Sequence, residues 1–130
     1  YLRLCGNDNH YHSVGGGYMI TIKDKTIMVN QGDTFTTLFY LDKDGYVLDG
    51  TETIKFSIKE KLEDVSPVLK LACGVDRLNN VISPYGSAAD MRKLKPGTYW
   101  YDISMTTRSG LHMTLLYPSK FIVRGISHVD

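Results

Sequence analysis

The sequence predicts an all-β domain, an immunoglobulin-like sandwich of about seven to nine antiparallel strands, and three observations predict it. From Met19 onward, apolar and polar residues alternate in short runs, the period of a half-buried strand. Turn signals recur about every 8–12 residues, the rhythm of a sandwich. No stretch carries a helical period of useful length. The 130 residues fit one domain with a hydrophobic core of its own.

The elements follow in order. Residues 1–18 read as an irregular tail, with the turn-forming run Cys5, Gly6, Asn7, Asp8, Asn9 and the glycine break at 15–17. Met19 is expected to be the natural start, the preceding residues being vector-derived or translated upstream sequence. Residues 19–125 form the sandwich and 126–130 a short tail. Ile20, Ile22, Ile27 and Val29 flank a turn at 23–25, and Gly32-Asp33 leads into a strand over 34–41. Asp44-Gly45 supplies the positive φ values of a hairpin turn. Over 53–59, Ile54, Phe56 and Ile58 share one face, and Thr53, Lys55, Ser57 and Lys59 share the other. A charged loop at 60–64 precedes a strand over 65–71 that Pro67 restricts to an edge or to its first residue. A short strand over 79–83 is followed by one helical turn in 87–94, with Ser87 as its cap. Lys95-Pro96-Gly97 stops that turn, and 98–107 is the strongest strand. Ser109-Gly110 turns it into 111–116, and 119–124 completes the sheet. The segments 20–29 and 65–71 are the expected sheet edges.

Composition narrows the function. The formal net charge is +1 and no run of Lys or Arg exceeds two residues, so the concentrated basic surface that nucleic acid requires is not visible. No apolar run approaches the roughly 18 residues that span a bilayer, and no signal peptide is expected, since residues 1–18 lack a continuous apolar core with a basic flank. The expectation is therefore no nucleic acid, no membrane insertion and synthesis in a cytoplasm. Cys5 and Cys73 are read as unpaired thiols of a reducing compartment.

Catalytic and cofactor chemistry finds no pattern. His10 and His12 lie in the irregular tail, while His112 and His128 stand alone. None supplies the three or four converging ligands of a zinc site. Asp42, Asp44 and Asp49 surround Gly45, but the sixth position from Asp42 is Val47, so the calcium-loop pattern fails and turn-making is the better role. No serine sits in a nucleophile elbow. Glu60, Glu63 and Asp64 stand among lysines, as a solvated loop does. No enzyme activity, metal or other cofactor is expected.

The segment 94–105 says more. Alternation puts Tyr99, Tyr101, Ile103 and Met105 on the core face of one strand, and Trp100 and Asp102 on the opposite face. A tyrosine two residues after Gly97, entering a late strand, matches the tyrosine corner of immunoglobulin-like domains, whose hydroxyl bonds back to the chain. Tyr99, Tyr101 and Ile103 are thus the structural set. Trp100, the single tryptophan, is a candidate partner hot spot or sugar platform, or is covered by a loop or by the neighbouring strand.

Gly32-Asp33-Thr34-Phe35, Asp44-Gly45 after Leu41, the run from Ile54 to Lys59, the run from Leu94 to Ile103, Thr114, and the run from Pro118 to Val123 together carry a resemblance. The chain resembles the short immunoglobulin-like proteins encoded among phage and prophage structural genes of Gram-positive bacteria, which are similar to the N-terminal module of upper baseplate proteins. That resemblance implies a non-enzymatic tail or baseplate component, resident in the virion, whose partners are other virion proteins or copies of itself. Two alternatives stand beside it. One is a carbohydrate-binding module that stacks sugars on Trp100 with Tyr46, Tyr85 or Tyr117. The other is a small phage-encoded regulator that binds a host protein.

Overall fold

Alternating burial along the chain, not helical periodicity, sets every long element of the fold. The computed structural model describes residues 2–4, 10–13, 19–23, 25–41 and 47–125, with side chains over 25–41, 47–116 and 118–125. The strands are β1 (Leu2–Leu4), β2 (His10–Ser13), β3 (Met19–Lys23), β4 (Thr26–Asn30), β5 (Phe35–Thr36), β6 (Phe39–Leu41), β7 (Thr53–Lys59), β8 (Leu69–Asp76), β9 (Val81–Gly86), β10 (Gly97–Thr106) and β11 (His112–Arg124), and one short helix, α1 (Ala88–Met91), follows β9. The hairpin expected at Asp44-Gly45 lies outside the described residues.

All eleven strands belong to one sheet in the order β1-β6-β9-β8-β7-β10-β11-β4-β3-β2, with β5 also on β9. The sheet is mixed and nearly barrel-shaped. Its fold-over is β8. Residues 69–72 pair with β7, from Ile58↔Leu69 to Lys55↔Ala72, and residues 73–76 pair with β9, from Cys73↔Pro84 to Asp76↔Val81. One wall therefore holds β4, β11, β10, β7 and the first half of β8. The other holds the second half of β8 with β9, β5 and β6.

The core lies between these walls. Phe56 and Tyr101 stack with centroids 4.8 Å apart, and Phe121 meets Phe35 edge-on at 5.2 Å. All four rings are fully buried. Phe35 comes from the second wall, so it ties the walls together, and truncating a ring of this kind costs about 3–5 kcal/mol. Tyr101, Ile103 and Met105 are likewise fully buried, and Tyr99 packs at the margin of the core.

Several expected elements take a different form. The strand expected over 34–41 is two pieces in a single register: Phe35↔Gly86 and Thr36↔Tyr85, then Phe39↔Ile82 and Tyr40↔Val81. Thr37 and Leu38 fall opposite Pro84 and Ser83, and Pro84 has no N–H to close the ladder there. The strand expected over 65–71 begins at Leu69, two residues after Pro67, and runs on to Asp76. Asn79 and Asn80 form a turn instead of opening β9, because Asn80 takes a positive φ of 56°.

The final two expected strands are one, β11, which accommodates Pro118 by bulging. Between Tyr101↔Ser119 and Ile103↔Leu116, and again before Ser104↔Thr114, β11 spends one extra residue. A bulge is where a strand tolerates proline, and it lets the adjacent Leu115 and Leu116 both face the core.

The edge expected over 20–29 is also corrected. β4 is flanked on both sides, antiparallel by β3 and parallel by β11 (Ile27↔Phe121 to Asn30↔Arg124), so the sheet is not wholly antiparallel. Residues 2–4 and 10–13, expected to be irregular, pair with β6 and β3. The helical turn does form, with Ser87 and Asp90 in a reciprocal capping box.

Candidate interaction surface

The first wall turns its alternate residues outward. On β7 these are Thr53, Lys55, Ser57 (itself buried) and Lys59, and on β10 they are Thr98, Trp100, Asp102, Ser104 and Thr106. Registration places Trp100 directly between Lys59 on β7 and Lys120 on β11. The Lys120 ammonium stands 5.9 Å from the centroid of the Trp100 ring, within cation–π range. Lys59 leans the other way, its Nζ 3.8 Å from the Asp102 carboxylate. The row Lys59, Trp100, Lys120 is thus a half-buried aromatic held between two cations.

Electrostatics are uneven on this face. Burial raises the pKa of Asp102, with Lys59 pulling the other way. Lys70 pairs opposite Ser57 and so points outward too, as does Arg124, two residues beyond Ile122, which faces Thr98. The guanidinium Nε of Arg124 is buried without a hydrogen-bond partner among the described residues.

The other singled-out residues divide clearly. Tyr99 donates its hydroxyl proton to the Lys95 carbonyl at 2.6 Å, pinning the turn that feeds β10. Tyr101 is fully buried, and its hydroxyl donates to the Lys25 carbonyl at 2.5 Å, tying β10 to the turn before β4. Tyr85 is exposed on β9 in the second wall, so it shares no plane with Trp100. Tyr46, and the side chain of Tyr117, lie outside the described residues, as do Cys5, His128 and the side chains of His10 and His12. Cys73 is unpaired, and burial pushes its thiol up to about 12.

Asp49 makes turns as expected: its Oδ1 accepts from both the amide and the hydroxyl of Thr51. Among the described residues, no group of three or more His, Cys, Asp or Glu side chains could hold a metal ion, and no helix is long and apolar enough to cross a membrane. The gathering of Lys55, Lys59, Lys70, Lys120 and Arg124 on one face escaped sequence reading. Lys55 and Lys59 could be placed together by alternation within β7. The rest needed strand order.

No family model matches the sequence, and no curated protein does. Among solved structures the chain is similar to the soluble domain of PmoD from Methylocystis sp. ATCC 49242 (Rockwell), at 15% identity and a TM-score of 0.46, over 91% of this chain and 99% of that one. A likeness this distant carries no argument about what the chain does.

Proposed function

We propose that the chain is a non-enzymatic assembly module, a tail or baseplate component of a phage or prophage, built on an immunoglobulin-like sandwich and acting by protein–protein docking. The fold half of this reading is supported by two features. The Tyr99 to Lys95 hydrogen bond has the form of a tyrosine corner. The order β4-β11-β10-β7 against β9 with β5 and β6 sets two walls face to face over one core.

The observation that carries the functional half is the row Lys59, Trp100, Lys120 on an outward sheet face. Tryptophan is among the residue types most enriched at protein-binding hot spots, and here it is half-buried with polar side chains at its rim. The motifs shared with phage immunoglobulin-like proteins then suggest neighbouring virion subunits as the partner. Edge pairing is a weaker route. β4 is enclosed, and the free side of β8 carries the exposed Lys70 just after Pro67, devices that discourage strand addition.

The carbohydrate reading draws less support, because a stacking platform needs coplanar exposed aromatics and Trp100 and Tyr85 point out of different walls. The deciding experiment is mass spectrometry of purified particles induced from the native host. Stoichiometric recovery of the chain is expected. Its absence from particles, with expression in the induced cells, overturns the reading in favour of a regulator.

A further inference from the structure

We infer that the outer face of the first wall is a docking surface for an acidic, carboxylate-bearing protein segment. This deepens the assembly reading and rests on it for the claim that the partner is protein. Five cations, Lys55, Lys59, Lys70, Lys120 and Arg124, point outward from β7, β8 and β11, and Asp102 is the one carboxylate among the described side chains of that face. The whole chain carries a net charge of only +1. The fold has therefore separated charge: the acidic residues Glu60, Glu63 and Asp64 sit in the loop beyond β7, off the face.

The spacing suits an extended segment. Lys55 and Lys59 are four residues apart on one strand, about 13 Å, and Lys59 and Lys120 are separated by two strand spacings, about 10 Å. A partner strand lying along β7 has side chains facing it at about 7 Å intervals, so every second carboxylate meets Lys55 and then Lys59. Trp100 sits within this frame and supplies the apolar contact that a purely ionic surface lacks. Complementary charge steers the encounter and fixes register, while the desolvated aromatic supplies affinity.

Nucleic acid fits the same face poorly. Its affinity comes from many phosphates neutralised at once, whereas this face offers five cations, one of which, Lys59, is already turned toward Asp102. Base stacking needs open aromatic faces in series. Trp100 is the one outward aromatic described on this wall.

The test is an NMR titration of the full ¹⁵N-labelled chain with a synthetic peptide of alternating glutamate and serine. A single-stranded oligothymidine of equal charge is titrated in parallel. The expected result is a set of shifts centred on the Trp100 indole and on β7, β10 and β11, weakening as salt is raised. The Lys59→Ala/Lys120→Ala double variant is expected to weaken peptide binding roughly three- to tenfold. Lys70→Glu, at an exposed position, does the same without touching the Trp100 row, and Lys93→Ala/Lys95→Ala, off the face, leaves affinity unchanged. Shifts scattered over all lysines, no shift at millimolar peptide, or tighter binding of the oligothymidine each overturns the inference. A localised peptide response from a chain missing from particles sinks the virion assignment alone. A chain present in particles with no localised response sinks this inference alone.

Discussion

Asn80 and Leu41 hold each other by two hydrogen bonds: the Leu41 amide donates to the Asn80 carbonyl at 2.9 Å, and the Asn80 side-chain amide donates to the Leu41 carbonyl at 2.9 Å. The same side chain accepts from the Leu48 amide at 2.8 Å. One asparagine thus fixes both ends of the connection spanning 42–46. It does so from a positive φ of 56° that asparagine adopts more readily than most residues.

Asn80→Ala is expected to be costly on both counts. It leaves two partly buried backbone groups without their side-chain partners and puts a Cβ without compensating bonds in the left-handed region. A loss of about 2–4 kcal/mol follows. Asn80→Gly removes only the hydrogen-bonding share, so it is expected to lose less. Urea denaturation of both variants checks the order, and equal losses would rule out a conformational contribution.

Tyr101 gives a second prediction, in pH. Burial pushes its phenol well above the ordinary value of 10.0, with a Ser119 hydrogen bond offsetting part of the rise. The folded chain therefore favours the neutral hydroxyl, whose bond to the Lys25 carbonyl needs its proton. That contribution is fully present below about pH 10 and is lost as the unfolded chain begins to ionise above it. Tyr101→Phe is expected to cost about 1–2 kcal/mol at neutral pH and to show a shallower loss of stability between pH 9 and about 11. Melting curves across that range test both parts. An unchanged slope would place the alkaline sensitivity elsewhere.

Cys73 offers a third. With its thiol pushed up to about 12 from 9.0 by burial, against a small opposing pull from Lys55, its thiolate fraction near neutral pH falls about a thousandfold. Alkylation at pH 8 is expected to be slow in the native chain and fast in denaturant. The peptide containing Cys73 is followed by mass spectrometry so that Cys5 does not confuse the rate. Rapid native labelling would mean that the second half of β8 opens easily.

What could be read in advance tracks what is local. Alternation in 53–59 and 98–107 placed Ile54, Phe56 and Ile58 on one face, Tyr101 and Ile103 inward and Trp100 opposite them, because a strand's period is fixed by its own backbone. The Ser87 cap and the Asp49 turn are equally local, settled within three residues. The break at Thr37, by contrast, is caused by Pro84, 47 residues away, and is invisible until β5, β6 and β9 are aligned. The same holds for the parallel partnership of β4 with β11. It holds too for the basic face, whose lysines come from strands distant in sequence and adjacent only through the order β8-β7-β10-β11.

Asp102 supplies the last prediction, and it bears on that face. Its carboxyl is raised chiefly by burial, and the Lys59 ammonium at 3.8 Å lowers it by less. Desolvation outweighs attraction, as it does for many partly buried pairs. A carboxyl whose folded value is raised stabilises the fold below its unfolded value, near 3.8, and loses that contribution as pH climbs through the raised one. The ionised side chain at neutral pH is then a net cost that asparagine would not carry. Asp102→Asn is accordingly expected to gain stability relative to the parent chain as pH rises from 3 to 7, as measured by thermal melts at several pH values. The opposite trend would mean that the Lys59 attraction governs the pair. The substitution also removes the one negative charge described on the face and frees Lys59. Binding of the acidic peptide should therefore tighten at neutral pH, where the peptide's glutamates are ionised.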